Sequence, residues 1–159
     1  MISGYGGGLI VAYQNGYLDV SNCTFRNNSV VSGFGGGMVI FYRNIGVEIS
    51  NSIFEGNVVW TTGNGGALYV DNENDISLKD SLFSRNTAML GGGGGIFFST
   101  GNDDTLIENS LFVENTAGNG GGALTFVTDN RGTTILNCSF LNNRADGSGE
   151  VQNPSVCQY

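Results

Sequence analysis

The sequence contains no histidine, which removes the commonest general base and the commonest metal ligand from any site the chain could build. Proline occurs once in 159 residues, so almost nothing deletes a donor from a backbone hydrogen-bond ladder. Lys and Arg number 6 against 14 Asp and Glu, a net charge of −8. Phosphate binding needs clustered cations, so the balance argues against nucleic acid as a partner. No apolar run approaches the ~20 residues of a membrane helix, and no basic-then-apolar leader precedes the first glycines. The chain itself is therefore not expected to span a membrane. Three cysteines, Cys23, Cys138 and Cys157, compose neither a disulfide framework nor a zinc-ligand pattern.

Glycine occupies 27 positions and asparagine twenty, a composition that by itself fits a low-complexity chain. The 40% hydrophobic content, with 10 Phe and 6 Tyr, argues otherwise, because it supplies the apolar side chains that offset ordering entropy. The length suits one domain.

An internal period is the dominant signal. Phe25, Phe54, Phe83, Phe112 and Phe140 follow one another at spacings of 29, 29, 29 and 28. Three residues after each stands Asn28, Asn57, Asn86, Asn115 or Asn143; three before stands Asn22, Asn51, Asp80, Asn109 or Asn137. Glycine pairs keep the same clock at Gly7-Gly8, Gly36-Gly37, Gly65-Gly66, Gly94-Gly95 and Gly121-Gly122. Each pair opens a short apolar run, then a polar turn, then a stretch of period two such as Ile76-Ser77-Leu78-Lys79. That alternation marks a half-buried strand.

Three short strands and no helix per unit leave few ways to bury an apolar face. Stacking the units as coils of a solenoid is the natural one. The fold expected is all-β: a right-handed, single-stranded parallel β-helix of about five 29-residue coils. The coils are placed at 1–32, 33–61, 62–90, 91–118 and 119–146, with 147–159 as an irregular tail or the start of a degenerate coil. Stacked phenylalanines fill the interior, and stacked asparagines at two bends hydrogen-bond from coil to coil, as identical amides do in cross-β arrays. Small residues two before each Phe (Cys23, Ser52, Ser81, Ser110, Cys138) suggest a tight corner. Cys23 and Cys138 sit four coils apart in that column, too far for a disulfide at ~4.8 Å per coil.

The pairing of Gly65-Gly66-Ala67-Leu68 and Gly121-Gly122-Ala123-Leu124 with five intact Phe-x-x-Asn elements resembles the repeats of the chlamydial polymorphic outer-membrane proteins. The resemblance covers roughly residues 5 to 145 and implies the passenger of an autotransporter displayed on the cell surface. It further implies adhesion to a host or neighbouring cell-surface protein or glycan. By the same resemblance the chain is a segment of a longer protein, whose remainder carries the membrane anchor or barrel.

Three sets of residues are candidates for function. Seven residues after the glycine pairs the turn column turns acidic, and stacking is expected to bring Glu73 and Asp75 near Asp103 and Asp104. Such oxygen ligands could hold Ca²⁺, or the residues could simply be a solvated turn; no other cofactor is implied. The same carboxylates could serve a uronan lyase, hydrolase or epimerase. The His and Arg-x-Lys elements of β-helix pectin hydrolases are absent, however, so the chain is expected not to be an enzyme. The third set is apolar. Val11, Ile40, Tyr69 and Phe98 cannot all face inward if Ile10, Val39, Leu68 and Phe97 do. One column is then an outer stripe, with Tyr69, Phe98 and Ile40 as candidate partner contacts. The competing reading covers that stripe with a neighbouring loop, and a purely structural stalk remains an alternative function.

Overall fold

The structure is a computed structural model that describes residues 3–147. The chain winds through four parallel walls, and every strand pairs with its equivalent in the next coil. Wall 1 is Leu9–Val11, Met38–Ile40, Leu68–Val70, Ile96–Phe98 and Leu124–Phe126. Wall 2 is Leu18–Ser21, Val47–Ser50, Ile76–Lys79, Leu106–Glu108 and Thr134–Leu136. Wall 3 carries the phenylalanines, in Thr24–Arg26, Ile53–Glu55, Leu82–Ser84, Leu111–Val113 and Ser139–Leu141. The coil is the expected one.

Wall 4 was not expected. Ser29–Val30, Val58–Val59, Thr87–Ala88, Thr116–Ala117 and Arg144–Ala145 form it directly after the Phe-x-x-Asn asparagines. Two residues are too few to show alternation in a sequence, yet Val30, Val59, Ala88 and Ala117 are buried and close the core. A short extra pair, Ser3–Tyr5 with Ser32–Phe34, lies apart from the four walls. Of the expected tail 147–159, all but Gly147 lies outside the described residues.

The interior follows from two chemistries. Phe25, Phe54, Phe83, Phe112 and Phe140 stack face to face with centroids 4.7, 4.7, 5.0 and 5.0 Å apart. Beside them the asparagines form a ladder. Asn57 sends both its backbone N–H and its side-chain amide to Asn86 Oδ1, at 3.0 and 2.9 Å. Asn86 does the same to Asn115, and each amide also donates to a phenylalanine carbonyl, Asn86 to Phe54 O at 2.9 Å. The ladder therefore satisfies the bend's backbone groups and ties it to the ring column. At the next corner the serines repeat the device, with Ser52 N–H donating to Ser81 Oγ at 3.1 Å and Ser81 N–H to Ser110 Oγ at 3.2 Å.

The second asparagine column differs from expectation. Asn22, Asn51, Asp80, Asn109 and Asn137 are exposed and lie in the left-handed region, φ 47–53°, which Asn and Asp tolerate better than other side chains. They turn the corner rather than line the core. The second ladder is instead Asn15, Asn44, Asn74, Asn102 and Asn130, buried at its three middle members; Asn44 N–H donates to Asn74 Oδ1 at 2.8 Å and Asn74 N–H to Asn102 Oδ1 at 3.0 Å. The sequence hides this ladder because coil three slips by one residue. Met38 pairs with Leu68, and Gly37 N–H meets Ala67 O, so the glycine pair at 65–66 is not in register with 36–37.

Candidate functional site

The slip decides which side chains of wall 1 face outward. The true columns are Ile10, Val39, Tyr69, Phe97 and Thr125 on one side and Val11, Ile40, Val70, Phe98 and Phe126 on the other. Strand alternation gives the second set to the core. Ile40 and Phe98 are fully buried there, and Phe98 stacks on Phe126 at 4.5 Å. Neither is a contact residue, which corrects two of the three expected. Tyr69 does point outward, but Phe34 stacks on it at 4.3 Å and leaves it 7% exposed. Burial pushes its phenol above the ordinary range, and its hydroxyl donates to Asp71 at 3.4 Å. The covering-loop reading holds at this position.

What replaces the expected stripe is a second aromatic layer laid over it. Between walls 4 and 1 the chain runs out through residues 31–37, 60–67, 89–95 and 118–123. The first of these brings Phe34 over wall 1, and its pairing with Ser3–Tyr5 brings Tyr5 beside it. Tyr5 stacks on Phe34 at 5.7 Å and meets Phe41 edge-on at 5.3 Å, while Tyr13 stacks on Phe41 at 5.5 Å. Tyr69 continues the chain to Phe97 at 5.6 Å. Six rings thus touch in sequence outside the core: Tyr13, Phe41, Tyr5, Phe34, Tyr69 and Phe97. Tyr5 and Tyr13 remain 49% and 62% exposed. Aromatic pairs of this kind hold their geometry through ring quadrupoles as well as area, so the layer is a fixed surface.

Beside it lies a groove of about 400 Å³ lined by the rings of Tyr5 and Phe34, by Ser32, Thr62 and Asn64, and by Gly4, Gly33 and Gly63. The Ser32 and Thr62 hydroxyls are 3.4 Å apart, and Asn64 Oδ1 accepts the Gly92 N–H at 2.8 Å. Gly33 and Gly63 have φ of 138° and 151°, and a Cβ on either would collide with the carbonyl of the preceding coil's glycine. Close coil packing therefore requires glycine here and leaves the groove free of side chains at those points. None of its lining residues carries a charge. A shallower groove of about 450 Å³ runs along the corner between walls 2 and 3, past Ile53, Leu82 and Leu111.

Charged groups lie elsewhere, and the arginines among them are paired with carboxylates. Glu55 is held between Arg26 and Arg85 on wall 3. Arg43 pairs with Glu73 at 2.6 Å, which raises its pKa, and rests over the Tyr42 ring at 4.6 Å. The acidic residues proposed for Ca²⁺ are not brought together. Glu73 is occupied by Arg43, and Asp103 Oδ1 accepts the Arg131 N–H at 3.0 Å. Glu73 and Asp104 both take left-handed turn conformations. Among the described residues no three His, Cys, Asp or Glu side chains gather as a metal would need, and Asp75 joins no such group. The slip accounts for the error: Glu73 aligns with turn residues, while the buried column next to it is all asparagine.

Sequence reasoning missed Tyr5, Tyr13, Phe34, Phe41 and the half-exposed Trp60. A signal was available, since these are aromatic residues that belong to none of the five-fold repeated columns. Among the described residues no helix is long and apolar enough to cross a membrane. A family model described as a right handed beta helix region matches residues 7–156. No curated protein and no solved structure matched the chain.

Proposed function

The chain belongs to the right handed β-helix family, and on that premise we propose that it is a non-catalytic binding segment of a surface-exposed extracellular repeat protein. It works through the outside of the solenoid. The observation that carries this reading is the run of six touching rings outside the core, with Tyr5 and Tyr13 half exposed or more. Tyr and Phe give large contact area for few rotatable bonds, which suits them to anchoring a partner. The interior cannot serve, because stacked side chains fill it. The likeness of the Gly-Gly-Ala-Leu and Phe-x-x-Asn elements to the chlamydial surface repeats supports display on a cell surface. A host or neighbouring cell-surface protein or glycan is then the partner, and the parent chain supplies the membrane attachment. The non-catalytic part of the reading is supported by the absence of histidine and by the turn carboxylates, which act as ion-pair and hydrogen-bond partners.

The test is a Tyr5→Ser/Tyr13→Ser double variant, because both side chains are exposed and neither fills the core. Binding of the labelled protein to cells should fall at least ~5-fold while the circular-dichroism spectrum is unchanged, the size expected when interface anchors are removed. Unchanged binding by a folded double variant would shift the assignment to a structural stalk. Release of reducing ends or unsaturated products from a uronan panel would overturn the non-catalytic reading.

A further inference from the structure

From the groove between the first and third coils we infer a binding site for a neutral oligosaccharide, a ligand class more specific than the binding role on which the inference rests. Three features of the groove point to it. The first is chemical. A sugar ring offers an apolar C–H face and a rim of hydroxyls, and the groove offers the Tyr5 and Phe34 rings beside the Ser32 and Thr62 hydroxyls and the Asn64 amide. Hydroxyls can donate or accept, so Ser32 and Thr62 can adapt to either partner. Asn64 spends its carbonyl oxygen on the Gly92 N–H, which fixes the side chain and leaves its amino group as the donor.

The second feature is charge. No ionisable group other than the Tyr5 phenol lines the groove. A uronate or sulfated chain would bury its anion there without a cation, which is costly; Arg26, Arg43 and Arg85 are occupied by Glu55 and Glu73 away from it. The net charge of −8 opposes an anionic ligand further. The third feature is shape. A pyranose unit is about as long as one coil step of ~4.8 Å, so a chain lying along the axis meets Tyr5, then Ser32 and Phe34 one coil on, then Thr62 and Asn64 two coils on. Gly33 and Gly63 place bare backbone where a side chain would block that path. A protein partner fits less well, since its anchors seek an apolar, closely packed pocket rather than a hydroxyl-rimmed one.

The experiment is isothermal titration of the chain with β-linked gluco-, manno- and galacto-hexasaccharides and with a uronate hexasaccharide, in parallel with cell binding. At least one neutral hexasaccharide should bind, and the uronate should not. Tyr5→Ala should weaken that binding about tenfold and the Ser32→Ala/Thr62→Ala double variant by a similar factor. Tyr17→Ala, exposed on another part of the surface, should bind as the unaltered chain does. The double variant keeps both rings, so it tests the groove even if Tyr5→Ala perturbs the extra strand. Preference for the uronate, or neutral binding that both variants leave intact, overturns the assignment. Cell binding without binding of any neutral hexasaccharide also overturns it while leaving the broader binding reading in place. Absence of both removes the two together.

Discussion

Removing the amide at Asn86 tests what holds the coils in register. Its side chain is fully buried. Its Oδ1 accepts from the backbone N–H and the amide of Asn57, and its amino group donates to Phe54 O and to Asn115 Oδ1. Asn86→Ala leaves the Asn57 N–H without an acceptor inside the core and removes the amide bonds to Phe54 O and Asn115 Oδ1. A buried orphan costs ~1–3 kcal/mol, so the expected loss is at least ~1–3 kcal/mol, read by urea unfolding followed through circular dichroism. Asn86→Asp separates hydrogen bonding from shape. The carboxylate keeps the acceptors but loses both donors and buries a charge, so near neutral pH this variant should be no more stable than Asn86→Ala. Burial raises the folded-state pKa of the new carboxyl above its unfolded value of ~3.9. The folded state then binds the proton more tightly, and the variant's stability relative to the parent falls as pH rises through that interval. Stability should therefore recover on acidification toward pH ~4. A loss below ~1 kcal/mol for Asn86→Ala, set against the ~1–3 expected for one buried orphan, would refute the ladder as a register device. So would an Asp variant whose relative stability rises with pH.

Phe83→Ala should cost ~3–5 kcal/mol, the range for a buried phenylalanine, because the ring is stacked on both faces and fully buried. Phe140→Ala, stacked on one face and 39% exposed, should cost less than half as much in the same urea titration; equal losses would mean that the column does not bear on stability through stacking. Gly63→Ala should lower stability by ~1–3 kcal/mol, the cost of a strained backbone position, since the new Cβ meets the Gly33 carbonyl. Unchanged unfolding of that variant would show that the coils can part at this loop.

The fold was legible because two markers could not change without breaking the ladder and the ring stack. The Phe-x-x-Asn asparagine never varies, since each amide must both donate and accept. The corner asparagine does vary, to Asp80, because a left-handed turn needs only a residue that tolerates φ near 50°. That substitution was the clue that the two columns differ. The outer surface was not legible for a physical reason. Coil three carries one extra residue in 60–67 and one fewer between Asn74 and Ile76, so the phenylalanine spacing stays at 29 while wall 1 shifts by one. Because strand faces alternate, a shift of one residue reverses the assignments of that coil, so Tyr69 faces outward while Ile40 and Phe98 in the adjacent coils face the core. Ile40 and Phe98 were misplaced because they were grouped with Tyr69, the one residue of the three that the slip turns outward.

The same extra residue bears on where recognition can evolve. Inside the coil, position by position, the columns are mostly Phe, Asn, Ser or an aliphatic residue such as Ile, Leu or Val, and columns so alike do little to distinguish one coil from another. The segments between walls 4 and 1 are under no such constraint. They span 31–37, 60–67, 89–95 and 118–123, differ in length, and carry Phe34, Trp60, Thr62 and Asn64, which recur in no other coil. Loops on a rigid scaffold are where binding residues accumulate, because a change there leaves the backbone ladder intact. In this chain the groove sits on the first two of these segments, and the second, 60–67, is the longest of the four. The inserted residue that obscured the register lies in one of the two segments that line that groove.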